Sequence, residues 1–166
     1  MRIHSVHYRE LPVPPEVLAG AFDSLSTPDD RLWPTAFWPP IRFDRPLQVG
    51  AVGGHGPIRY TVETYVPGQS ISFRFTAPPG FTGTHSFLLA PTAFGLRISH
   101  EIRIVTTPFA SLYWLVVIRP LHDALIEDAL HRAVTAAGLQ EPRPSWSFWV
   151  RLLRAAFRPR KPIIAT

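Results

Sequence analysis

Cysteine is absent from all 166 residues, which removes disulfides, thiol nucleophiles and thiolate metal sites together. Charge is scarce. Asp, Glu, Lys and Arg make up 17% of the chain against 46% hydrophobic residues, a balance that excludes disorder over most of the length. Long apolar runs are also missing: the longest clean one, Leu112 to Ile118, is far short of the roughly 20 residues a membrane-spanning helix needs. The opening Met1-Arg2-Ile3-His4-Ser5-Val6-His7 alternates in polarity and lacks the apolar stretch of a signal peptide. These absences read as a cytoplasmic protein, membrane-peripheral only if its tail makes it so.

Most of the chain also lacks an excess of either charge. The formal net charge is +5, yet 11 Lys/Arg cancel 11 Asp/Glu as far as Gly138. From Leu139 to Thr166 six basic residues, Arg143, Arg151, Arg154, Arg158, Arg160 and Lys161, stand against Glu141 alone. The body of the protein therefore has no basic surplus to attract phosphates, and nucleic acid is excluded as its partner. Residues 1–138 read as one core-forming domain and 139–166 as a basic appendage.

Patterning predicts the elements. Arg2 to Arg9 reads as a strand stopped by Pro12 and Pro14. After Pro14-Pro15, Val17, Leu18, Ala21, Phe22 and Leu25 recur at helical spacing. Thr27 to Pro40, with Trp33, Phe37 and Trp38 among prolines, is expected to form a short helix and a loop over one end of a sheet. Period-two alternation then marks four strands. Ile58, Tyr60 and Val62 lead, followed by Ile71, Phe73 and Phe75, then His85, Phe87 and Leu89, and finally Leu96, Ile98, His100, Ile102 and Ile104. One apolar and one polar face make a meander covered on one side. Arg59, Glu63, Arg74, Arg97, Glu101 and Arg103 fall on the solvated face. The cover is a helix from Thr107-Pro108 to Gly138. At about 1.5 Å per residue it is roughly 45 Å long and crosses the sheet diagonally, with Pro120 kinking it or starting its regular part. Its inner face is predicted to carry Leu115, Ile118, His122, Ile126, Ala129, Leu130, Ala133 and Ala137, with Glu127, Asp128, His131 and Arg132 mostly off it. The expected architecture is α+β, a helix-grip fold. A curved antiparallel sheet wraps around a long C-terminal helix, with short helices after the first strand and an apolar cavity between sheet and helix.

This order of elements resembles the START/Bet v 1-like superfamily, whose bacterial members include the polyketide cyclase/dehydrase-like or SRPBCC proteins. The resemblance covers roughly residues 1–138 and rests on the opening VHYRELPVPPEVLAGAFDSL and the closing IRPLHDALIEDALHRAVTAAGL. The middle, LWPTAFWPPIRFDRPLQVGAVGGHGPIRYTVETYVPGQSISFRFTAPPGFTGTHSF, looks like an uncharacterised actinobacterial branch. No short catalytic motif defines the superfamily. The resemblance implies a cavity for lipids, polyketides or other hydrophobic molecules, used for binding and carriage by some members and for cyclase-type chemistry by others.

Three histidines are expected to share the interior. His85 and His100 lie on the apolar faces of adjacent strands, and His122 on the helix face above them. Such a cluster can tune the polarity of the cavity through hydrogen bonds, or act as general acid or base. It could also bind zinc. Against zinc, no Asp or Glu on the inner faces supplies a second shell and the spacing shows no HxH or HxxxH pattern, so no metal and no cofactor are expected. Gly53-Gly54-His55-Gly56-Pro57 lacks the following helix of a phosphate loop and reads as a bulge or tight bend entering a strand. Trp33, Trp38, Tyr60, Phe73, Phe75, Phe87, Ile98 and Ile126 are the candidate ligand-facing residues. In the tail, SWSFWVRLLRAAFRPRK reads as an amphipathic helix, with Trp146, Trp149, Val150, Leu153 and Phe157 opposite Ser147, Arg151, Arg154 and Arg158. It either docks on the domain or a second subunit, or attaches weakly to anionic lipid. The expected partner of the whole is a hydrophobic small molecule.

Overall fold

The computed structural model describes residues 1–157. Seven strands form one antiparallel sheet in the order β1-β7-β6-β5-β4-β3-β2. They are β1 (Arg2–Leu11), β2 (Arg42–Phe43), β3 (Val52–His55), β4 (Ile58–Val66), β5 (Ser70–Ala77), β6 (Phe81–Thr92) and β7 (Gly95–Thr106). Helix α1 (Glu16–Asp23) follows β1. After β7 a continuous helical rod runs through α2 (Pro108–Tyr113), a π-helical turn (Trp114–Ile118) and α3 (Arg119–Ala136), and α4 (Phe148–Ala156) closes the described chain. This is an α+β, helix-grip-like arrangement. The four alternating segments form the meander β4 to β7, and register shifts between Arg59 and Tyr60 and between Val62 and Thr64 help the sheet curve. On its outer face Arg74 pairs with Glu63, Arg97 with Glu10 and Arg103 with Glu101.

Four expectations need correction. The segment 27–40 holds turns and bends, not a helix. Asp30 Oδ1 accepts from the amides of Leu32 (2.9 Å) and Trp33 (2.7 Å), and the prolines beyond supply no amide hydrogen. The glycine run divides: its Gly56-Pro57 end is the expected tight bend entering a strand, a two-residue hairpin into β4, but Gly53, Gly54 and His55 themselves belong to a strand, β3. Strand β3 passes so close to its neighbour that a Cβ on Gly54 would stand 1.9 Å from the Ile58 carbonyl oxygen. The rod Pro108–Ala136 spans 29 residues with a mean hydropathy of 1.3 over its best window. By length and composition it could cross a membrane, although its C-terminal half packs on the sheet through Leu125, Ile126, Ala129 and Leu130. Finally, Leu115 is exposed and Trp114 is buried instead. The π-turn inserts an extra residue, so a face counted at 3.6 residues per turn drifts across it.

Pro120 starts the regular part of α3. It has no amide hydrogen to give the Val116 carbonyl one turn earlier. The Trp149 indole of α4 donates to that carbonyl instead, at 2.8 Å.

Candidate functional site

The interior is built from two apolar clusters. The larger gathers Leu96, Ile98, Phe87, Leu89, Ile71, Phe73, Tyr60, Leu125 and Ile126 with the residues of α1 and the 32–41 segment. The smaller, under α2 and the π-turn, gathers Phe81, Ile102, Ile104, Ala110 and Trp114, with Phe75 and Ile118 packed against it. Between them lies a layer of imidazoles. Each inner face changes cluster at its histidine: β7 runs Ile98, His100, Ile102, and β6 runs Phe87, His85 and on to Phe81. On α3, His122 stands between Ile118 and Leu125–Ile126.

The structure brings the three predicted histidines together. His85 Nδ1 and His100 Nε2 lie 3.3 Å apart and share a hydrogen bond. The His100 and His122 ring centroids are 5.0 Å apart. Three buried nitrogens, His85 Nε2, His100 Nδ1 and His122 Nε2, have no hydrogen-bond partner among the described residues. Burial pushes His85 and His100 well below the ordinary imidazole range, and neighbouring imidazoles push the same way. Burial also lowers His122, against an opposing hydrogen bond to Asp123. The layer is therefore neutral at pH 7, with imidazole nitrogens free to accept or donate to a bound polar group.

Two more histidines extend the layer, and the sequence pattern did not place them in it. His7, on the inner face of β1, meets His122 edge-on at 5.9 Å between centroids. Its Nε2 lies 3.2 Å from Asp123 Oδ1 and its Nδ1 2.8 Å from Glu127 Oε1. The Asp123 bond chiefly raises its pKa, with burial opposing and Glu127 assisting. At the other end the Tyr60 hydroxyl lies 3.2 Å from His55 Nδ1, and the Tyr60 ring packs edge-on against His85 at 4.8 Å. Burial lowers His55 to about 3.

Carboxylates do reach the inner face, contrary to expectation. Asp123 lies 3.1 Å from His122 Nδ1 and contacts His7 as well, and these bonds hold its pKa down despite burial. Asp128 is buried, and its Oδ2 accepts from the indoles of Trp38 (2.7 Å) and Trp146 (2.9 Å). Helix α3 is covered by the sheet, including its edge strand β1, by α1 and by the C-terminal segment, so positions off the sheet-facing stripe still meet protein.

The candidate ligand-facing residues divide. Phe73 and Phe75 stack on His85 at 4.8 Å each, and Phe87 packs edge-on to His100 at 4.6 Å. Tyr60, Ile98 and Ile126 are buried in the wall of the larger cluster. Tyr60 and Phe73, neighbours on the adjacent strands β4 and β5, pack on one another at 4.9 Å. Trp33 meets the layer at its His55 end, where the two ring centroids are 4.9 Å apart, whereas Trp38 lies away from it. Trp33 donates to the Pro39 carbonyl at 2.8 Å, and Trp38 belongs to the Asp128 network.

In the tail, Val150 and Leu153 are buried against the body, and the Arg154 guanidinium lies over Trp38 (4.2 Å) and Trp146 (4.1 Å). Arg151 Nε donates to the Trp146 carbonyl at 3.1 Å. Trp149 and Phe157 are exposed; Arg158 lies outside the described residues.

No family model matches the chain, and no curated protein does. Solved structures share its fold at low sequence identity. CalU16 from Micromonospora echinospora superposes with a TM-score of 0.55 at 12% identity, over 94% of this chain and 83% of that one. KanY gives a TM-score of 0.60 at 9% identity, over 83% of this chain and 99% of that one. StfQ, a di-domain ARO/CYC from the steffimycin biosynthetic pathway, gives 0.60 at 12% identity, over 82% of this chain and 51% of StfQ. The class that fold and site define is an α+β helix-grip protein with a polar imidazole layer across an otherwise apolar interior.

Proposed function

We propose that the protein binds an amphiphilic small molecule, apolar over most of its surface, whose hydrogen-bonding group meets the imidazole layer. The observation that carries this reading is the set of three buried imidazole nitrogens without partners between two apolar clusters. Buried polar atoms are normally satisfied, and leaving each one unpaired costs about 1–3 kcal/mol. A hydroxyl or carbonyl reaching the layer would satisfy them, while its apolar skeleton replaces contacts now made by Phe73, Phe87 and Ile126. A polyketide-like aromatic, one of the ligand classes the superfamily resemblance implies, has this shape and polarity. With 1,8-dihydroxyanthraquinone as probe, the protein should take up one equivalent with a red shift in the probe's absorbance. His100→Phe, which fills the polar layer with carbon, should weaken uptake at least about tenfold, the loss of one good hydrogen bond to a buried group. Equal uptake by the variant would show that the layer is not the site.

A second reading, a cyclase- or dehydratase-type enzyme, is favoured by His122, whose Nδ1 is held 3.1 Å from Asp123 and whose buried Nε2 is left to take a proton from a bound substrate; burial makes His85 and His100 much weaker bases. Binding alone and catalysis part company in His122→Gln. The substitution keeps a hydrogen-bonding side chain, so it preserves probe uptake in both cases, but it abolishes turnover in an enzyme.

We also propose weak attachment to membrane surfaces. Phe109, Leu112, Leu115 and Val116 are exposed on the rod, and Phe148, Trp149 and Leu152 on α4. The Trp149 bond to Val116 holds the two sets side by side. An apolar patch beside a basic segment suits anionic lipid. Co-sedimentation with phosphatidylserine-containing vesicles should fall several-fold in Leu112→Ser/Phe148→Ser, whose side chains contribute little to the core. Unchanged sedimentation would assign the patch to something other than lipid.

A further inference from the structure

Where the imidazole layer reaches the surface, between β1 and α3, the side chains of His7, His122 and Asp123 converge. We propose that these three residues bind a divalent transition-metal ion, zinc fitting the donor set best. One ligand atom from each lies within 4.8 Å of the other two. Asp123 Oδ1 is 3.2 Å from His7 Nε2 and 3.1 Å from His122 Nδ1. In a tetrahedral site with bonds of about 2.0–2.1 Å, neighbouring ligand atoms stand about 3.3 Å apart. Two of the three pairs already have the length of a tetrahedron edge and the third lies within 4.8 Å, so the two imidazoles have only to close on the ion.

The donor chemistry narrows the ion. Two imidazole nitrogens and one carboxylate oxygen suit zinc or ferrous iron, and exclude the all-oxygen environments that calcium and magnesium prefer. Three protein ligands leave the fourth position to water, the pattern of a reactive site and not of a structural one. The side chains of His7, His122 and Asp123 are 17%, 11% and 34% exposed, so the ion has a route in from solvent.

Support around the ligands is present too. The other nitrogen of His7, Nδ1, lies 2.8 Å from Glu127 Oε1, the carboxylate–imidazole contact that fixes tautomer and ring orientation in metal sites. Glu127 is itself held by Arg9 Nη2 at 2.6 Å, and Arg119 Nε stands 3.6 Å from Asp123 Oδ2. The two guanidiniums reduce the pull on a cation while pinning the carboxylates, which sets the affinity below that of an all-histidine site. The ion would also act on the interior. With Nδ1 on the metal, neutral His122 carries its proton on Nε2, the buried atom without a partner, and the ring lies 5.0 Å from His100. Metal binding would thus turn His122 into a fixed donor to the layer where the amphiphile is proposed to bind. The site itself does not depend on that ligand.

The test uses the full chain, stripped with chelator and titrated with Zn²⁺ against a chromophoric competitor, with Co²⁺ absorbance as a second readout. One equivalent per chain is expected, with visible cobalt bands of low-symmetry coordination. His7→Ala and Asp123→Asn should each remove the equivalent and the bands while circular dichroism stays unchanged. Glu127→Gln should weaken binding by about tenfold, and His4→Ala, on the opposite face of β1, should leave it intact. Less than one equivalent in the native chain would overturn the proposal. So would binding that survives both His7→Ala and Asp123→Asn, since the metal would then sit on other histidines.

Discussion

Asp128→Ala is expected to destabilise the protein by about 2–6 kcal/mol, the largest effect of any single substitution considered for this fold. The magnitude follows from what Asp128 holds. Its Oδ2 accepts both the Trp38 and the Trp146 indole hydrogens, at 2.7 and 2.9 Å, in a position only 3% exposed. Removing the acceptor leaves two N–H groups without partners, each costing about 1–3 kcal/mol, and opens a small cavity beside them. Two regions distant in sequence meet there, the 27–40 segment and the chain leading to α4, so the loss should also loosen the C-terminal segment. Denaturant titration measures the first effect, as a lowered midpoint. Limited proteolysis measures the second, as faster cutting after Pro142. Asp128→Asn retains an acceptor oxygen and should cost about half as much. Equal stability of Asp128→Ala and the native protein would mean that both indoles find other partners.

The second large effect concerns acid. In the unfolded chain His85 and His100 take up protons near pH 6.5, whereas in the folded protein burial holds both far below that value. Below pH 6.5 the unfolded state therefore binds more protons than the folded one, and stability falls as pH falls. Each such imidazole contributes a slope of about 1.4 kcal/mol per pH unit, so the pair contributes about 3. His55, lowered to about 3, adds in the same direction. His7 acts with the opposite sign: its raised pKa gives stability that is present below pH 6.5 and lost as pH rises through its folded value. With total stability on the order of 5–15 kcal/mol, two units of acidification remove much of it. Urea denaturation at pH 6.5, 5.5 and 4.5 should show the decline, and His85→Gln/His100→Gln should flatten it by about 3 kcal/mol per unit. Parallel pH dependences for the two proteins would mean that the buried imidazoles are protonated in the native state.

Both effects arise from side chains whose neighbours differ in how far they can be read from sequence. His85, His100 and His122 were legible because each occupies an apolar parity: alternate positions in β6 and β7, and the sheet-facing stripe of α3. The four-strand meander and Pro120 as the start of α3 were legible on the same grounds. His7 was not. The inner face of β1 carries Ser5, His7 and Arg9, so the strand shows no contrast between a polar and an apolar side. What draws those residues inward is Asp123, Glu127 and Glu141, more than a hundred positions away. Asp128 was assigned to the outside because a helical wheel assumes one covered face, and α3 is covered on more than one. The phase slip at Trp114–Ile118 has no signature in apolar spacing, since every residue of the π-turn is apolar. Short β3 escaped because a strand built on Gly53 and Gly54 carries almost no side-chain pattern, and β2 because its two residues, Arg42 and Phe43, are too few to show alternation.

The central claim, that a polar group of an otherwise apolar ligand meets the imidazole layer, is tested most directly by the ring nitrogens themselves. In ¹⁵N-histidine-labelled protein titrated with 1,8-dihydroxyanthraquinone, the side-chain nitrogen shifts of His85, His100 and His122 should move together and saturate at one equivalent. His4, whose ring is exposed against Glu101 on the outer face, should stay fixed. Saturation of the probe with no movement at His85, His100 and His122 would contradict the account.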